Sequence, residues 1–158
     1  MIAGQKQACI AGRGTSVALA TVALLTGCVA GKGTLVPYRD ISSELHGFQP
    51  PRLIREAFKT EAAFTKYLRH ESPGIRHLPV IDWTHREAIL VSAGPRSSTG
   101  YVLRIVSVRE TAHHVVVTVH EDTPTLGQPV QARVTYPFRL ITIPRTSKPL
   151  FLHWPGRP

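Results

Sequence analysis

From residue 83 onward the apolar positions follow strand periods. Ala88 to Ala93 is apolar on both faces, as a strand buried on two sides would be. Tyr101 to Val108, Val115 to Val119, Val130 to Tyr136 and Phe138 to Ile143 follow as further strands. Within the third run, Val115, Val117 and Val119 share one face, and His114, Val116, Thr118 and His120 share the other. Within the fourth, Val130, Ala132, Val134 and Tyr136 are expected to point inward, with Gln131, Arg133 and Thr135 outward. Turn residues separate the runs at Gly94-Pro95, Glu110-Thr111-Ala112 and Pro124-Thr125-Leu126-Gly127. These connections are too short to hold a crossover helix, so the sheet is expected to be largely antiparallel.

One helix is predicted. Thr60 offers an N-cap with Glu61 in the first turn; Phe64, Tyr67 and Leu68 share a face, and Arg69 and His70 lie where the helix dipole favours cations. Glu71-Ser72-Pro73-Gly74 ends it. Arg52 to Phe58 fits a short helix or a strand, and the strand is the preferred reading. The fold class that results is α+β: one helix packed on a largely antiparallel sheet of five to six strands that curls toward a barrel or a sandwich. The proline-rich end, residues 144–158, either straps Phe151 and Trp154 onto the sheet or stays mobile.

The first residues read differently. Lys6 and Arg13 form a basic region without acids, and Ser16 to Leu25 is an apolar run of ten residues, about 15 Å as a helix and half of a ~30 Å hydrocarbon core. Leu25-Thr26-Gly27-Cys28 follows and resembles a bacterial lipobox, which implies cleavage after Gly27 and thioether lipidation of Cys28. The expected organisation is a signal peptide at 1–27, a lipidated Cys28 with a flexible tether to residue 51, and one α+β domain over 52–158. The tether reading rests on Gly31, Gly33, Pro37, Ser42, Ser43, Gly47, Pro50 and Pro51. Val29 after the cysteine, with no aspartate there, resembles lipoproteins sent to the outer membrane in organisms that have one.

Composition narrows the chemistry. Cys9 would leave with the signal and Cys28 would carry lipid, so the mature chain has no disulfide and no cysteine-based zinc site. The formal charge of +9 drops by two, to +7, without Lys6 and Arg13, and its bases form no dense stripe. Nucleic acid is therefore not expected as a partner. The eight histidines are dispersed: His113 and His114 point to opposite faces of a strand, and His114 and His120 stand about 20 Å apart at ~3.3 Å per residue. No metal, cofactor or catalytic residue is assigned. Ser97 and Ser98 lack the Gly-x-Ser-x-Gly turn of a nucleophile, and Asp82, Glu87, Glu121 and Asp122 do not pair in sequence as acid and base.

The loop Gly94 to Tyr101 is long for a hairpin and ends a central strand, so Arg96, Ser97, Ser98, Thr99, Gly100 and Tyr101 are candidate partner-binding residues. Gly100 is where the loop can take positive φ or let another backbone approach closely. The run Ile89-Leu90-Val91-Ser92-Ala93-Gly94, the turn Ser98-Thr99-Gly100-Tyr101, the strand Val102 to Val108 and Thr135-Tyr136-Pro137-Phe138 resemble the C-terminal domain of the protease complex subunit PrcB family, over about Trp83 to Pro144. Thr99 stands where that family's pattern has the first glycine of Thr-Gly-Gly-Tyr. The resemblance implies a small exported protein associated with steadying a surface protease complex, with no catalytic residue carried over. The expected function is thus a non-catalytic envelope lipoprotein, held to membrane by Cys28, that binds an exported protein. The alternative is a module for cell-wall polymer or anionic lipid, motivated by the charge and by Trp83, Tyr101 and Trp154.

Overall fold

The computed structural model describes residues 33–156. The expected signal peptide and Cys28 lie outside them. In chain order the elements are β1 (Thr34–Leu35), β2 (Arg39–Asp40), a 3-10 turn (Ser42–Glu44), β3 (Leu53–Phe58), α1 (Glu61–Glu71), β4 (Arg86–Ala93), β5 (Val102–Glu110), β6 (Val115–Asp122), β7 (Phe138–Pro144) and β8 (Leu150–His153). They form two four-stranded sheets, ordered β1-β5-β6-β8 and β2-β7-β4-β3. The described residues thus hold one α-helix and eight strands, more than the five or six expected, and the sheets do not close into a barrel.

β4 organises the molecule because both of its faces are buried. Ala88 and Leu90 join Ile54, Phe58, Leu140 and the helix residues Phe64 and Leu68 in one core. Ile89, Val91 and Ala93 turn the other way and meet Val108, Val115, Val117, Val119, Ile141 and Ile143 between the sheets. The apolar run Ala88 to Val91, with Ala93 after Ser92, has this double burial as its cause. α1 forms where expected: the Thr60 side chain accepts from the Ala63 N–H at 3.3 Å, and the Ser72 N–H closes the last turn on the Leu68 carbonyl at 2.8 Å. Its apolar stripe packs rings on rings, with Phe58–Phe64 centroids 5.3 Å apart and Phe64–Trp83 5.4 Å.

Two expectations are corrected. Residues 33–51 are not a free tether: β1 pairs with β5, β2 pairs with β7, and Ile41, Leu45 and Phe48 are buried in the helix-side core. Burial of three large apolar side chains offsets the entropy that a tether would keep. Val130 to Tyr136 is not a regular strand; Arg96–Thr135 is its one β-bridge, a few further hydrogen bonds join it to the same loop, and Val130 and Val134 are exposed. The Arg133 N–H bonding back to the Gln131 carbonyl at 3.0 Å bends the backbone there. Of the two readings of the C-terminal segment, packing on the sheet holds: it supplies β8, which runs parallel to β6, with Trp154 buried between the sheets. A parallel pair needs a crossover, and here β7 in the opposite sheet lies within it.

Candidate partner-binding site

The loop between β4 and β5 begins with a turn that only glycine fits. Gly94 has φ +73°, and a Cβ there would stand 3.0 Å from the Arg52 carbonyl carbon. Its N–H donates to the buried Ser92 hydroxyl at 2.9 Å. The loop then lies alongside residues 131–137. Arg96 and Thr135 exchange two backbone hydrogen bonds (2.8 and 2.9 Å), the Thr99 N–H donates to the Gln131 carbonyl at 3.1 Å, and the Gln131 N–H returns to Thr99 Oγ1 at 3.0 Å. The Thr135 hydroxyl donates to the Ser98 carbonyl at 2.7 Å.

Arg96 is fixed more firmly than a loop-tip residue. Its guanidinium donates from Nε and Nη2 to the two Glu121 carboxylate oxygens, at 2.5 and 3.2 Å, and from Nη1 to the Pro95 carbonyl at 3.0 Å. It also stands 5.8 Å from the Tyr101 ring centroid. Of the six candidate residues, Ser97 is exposed; Arg96, Thr99 and Tyr101 are half-buried, and Ser98 and Gly100 are buried. Gly100 does not adopt positive φ. Its role is close packing, because a Cβ there would meet Pro124 Cβ at 2.6 Å and Val130 Cγ1 at 2.7 Å.

Beside this loop lies an open groove of about 380 Å³, lined by Tyr101, Val102 and Leu103 on one side, Tyr136 to Arg139 on the other, and Ser42 and Ser43 at one end. Sequence reasoning did not find its contribution from the 3-10 turn. β5 borders it with an open edge. β1 covers only Arg109 and Glu110, and the Val36 N–H bonds the Val108 carbonyl. From Val102 to Ser107 the outer side of β5 receives the Tyr38 hydroxyl on the Ile105 carbonyl at 3.2 Å. The lining offers hydroxyls, ring faces and strand backbone, and no histidine, aspartate or glutamate is among the lining residues. Among the described residues no three potential ligands gather around a metal position. His85 bonds Asp82 at 2.8 Å, and His114 packs edge-on to Phe151.

Most of β4, the loop, β5, β6, β7 and most of the groove fall within one segment of the chain. Residues 88–144 match the family model described as PrcB C-terminal. The recognition made from the sequence thus holds over a slightly shorter span than 83–144. No curated protein and no solved structure matches the chain. Within the PrcB-like segment, sequence reasoning missed Glu121 as the partner of Arg96. The signal was present: the alternation that turns Val115, Val117 and Val119 inward continues to Glu121, and a carboxylate on a core-facing position requires a buried partner.

Proposed function

We propose that the chain is a non-catalytic envelope lipoprotein, anchored by lipid on Cys28, that binds and steadies an exported protein belonging to a protease complex. The match of residues 88–144 to the PrcB C-terminal family carries this reading. The groove lined by Tyr101 and Tyr136 and the open edge of β5 support it, since both offer hydrogen-bonding groups to a polypeptide. The exposed Ser97 and Ser43 mark the rim of the contact.

The test is photocrosslinking in the intact envelope from full-length chains carrying a crosslinking residue at Ser97 or Ser43. The expected result is one exported polypeptide caught at both positions and retained at 1 M salt, where the Debye length is ~3 Å. Crosslinks to phospholipid or wall polymer alone, lost at that salt, overturn the reading. Labelled palmitate should enter the wild-type chain and not Cys28→Ala. Equal labelling of the two would refute the anchor.

A further inference from the structure

The four sheet edges differ in a way that bears on recognition. β1 and β2 have two residues each and β8 has four. The open part of β5 carries an irregularity, with register shifting between Ile105 and Ser107 and Val106 left 61 % exposed. Short strands and bulges are the usual means by which an edge avoids pairing with another chain. β3 has neither. It pairs with β4 in unbroken register from Leu53–Ala93 to Phe58–Ala88, contains no proline, and has no strand on its outer side among the described residues. Its one basic residue, Arg55, stands 5.6 Å from the Trp154 ring centroid.

Beside this edge lies a second groove, about 430 Å³, formed between β3 and α1 by Ala57, Phe58, Ala63, Lys66, Tyr67 and His70. Ala57 and Ala63 leave it room for an apolar side chain, and the Phe58 and Tyr67 rings, 5.1 Å apart, form apolar wall. Lys66 makes no ion pair among the described residues. The nearby Glu71 carboxylate is taken by Arg52 at 2.5 Å, with His70 at 3.4 Å. Glu56, the acidic residue of β3, is outside the lining. An unpaired six-residue edge beside an apolar groove with a cationic side is the arrangement in which an added strand gains main-chain hydrogen bonds from the edge and selectivity from the groove.

We propose that the β3–α1 groove binds an extended peptide segment as a further strand on β3, seating one apolar side chain between Ala57 and Ala63 and placing a carboxylate, from an acidic residue or a chain terminus, against Lys66 and His70. This surface lies outside the segment that matches the PrcB C-terminal family, so it is a second contact independent of the first.

The test is selection from a library of random twelve-residue peptides, displayed with free and with blocked carboxyl termini, on the full-length chain in detergent micelles. Enriched peptides should combine β-branched or aromatic residues with a carboxylate. A synthetic copy of the most enriched one should slow hydrogen exchange at the amides of Leu53–Phe58. Lys66→Glu and Ala63→Trp should each weaken its binding at least tenfold while leaving the thermal midpoint within 2 °C or so, as exposed positions allow. The proposal is overturned if no peptide is enriched, if protection appears on β5 instead, or if neither substitution changes affinity.

Discussion

Arg96 and Glu121 tie the loop after β4 to the far end of β6 through a two-pronged ion pair whose side chains are 15 % and 5 % exposed. The pair holds the β4–β5 loop against β6 beside the Tyr101 groove. A residue that looks from the sequence like a solvent-facing contact is therefore part of the frame.

Arg96→Ala should destabilise the fold by about 3 kcal/mol, because removing one partner leaves the Glu121 carboxylate buried without its main counter-charge. Ser97→Ala, one residue on and exposed, should change stability by no more than ~0.5 kcal/mol. Urea denaturation midpoints of the two single variants check this. Equal midpoints would mean that the ion pair contributes nothing.

Gly100→Ala should cost about 1–3 kcal/mol through overpacking against Pro124 and Val130. Since the cause is contact and not backbone strain, Val130→Ala should restore part of the loss. A double variant no more stable than Gly100→Ala alone would point back to the backbone.

Glu87 sits at the start of β4 with no exposed surface, and neither carboxylate oxygen has a hydrogen bond of ordinary geometry. Burial raises its pKa; Lys59, Arg145 and the Thr146 backbone oppose the rise without cancelling it. The folded state thus holds this proton more tightly than the unfolded chain, whose carboxyl titrates near ~4.3, so Glu87 costs nothing below that pH and destabilises increasingly as pH rises toward the folded value. Glu87→Gln should be more stable than wild type at pH 7.5 and indistinguishable at pH 4. Stability curves across that range decide the matter, and a variant weaker at pH 7.5 would show that the charged form is favoured.

Glu71 behaves oppositely. The Arg52 hydrogen bonds lower its pKa against the effect of burial, with His70 adding a smaller push. Its contribution is present above the ordinary carboxylate range and is lost as pH falls through the depressed folded value. Arg52→Gln should therefore weaken the protein at neutral pH and converge with wild type in acid. A difference that persists undiminished at pH 2 would exclude this linkage.

The regular elements were legible because each has a local cause. Thr60 caps α1, Val115, Val117 and Val119 alternate, and Ala88 to Ala93 is apolar on both faces apart from Ser92. What could not be seen was set by tertiary pairing. Ile41, Leu45 and Phe48 are spaced four and three apart, a helical period hidden among Gly, Ser and Pro, and their burial turns the expected tether into part of the core. Val130 to Tyr136 has the alternation of a strand, yet its backbone bends and makes one bridge, so its valines stay in solvent. The loop was found as a candidate, but the Tyr101 groove needs Ser42 and Ser43, nearly sixty residues upstream of it, and no local pattern announces that meeting.

The long-range pairings also fix when the molecule can be finished. β1 waits for residues 109–110, β2 for 141–142, and β6 for 150–153, while Trp154 fills the space between the sheets. A chain emerging from its amino end, whether from a ribosome or through a pore, therefore reaches residue 153 before its last strand pair can form. Until then Val117, Ile89 and Ile141 lack part of their cover, and the slow closure typical of non-local β pairing leaves time for other chains to find them. Residues 150–154 thus act as the latch on the strands made before them.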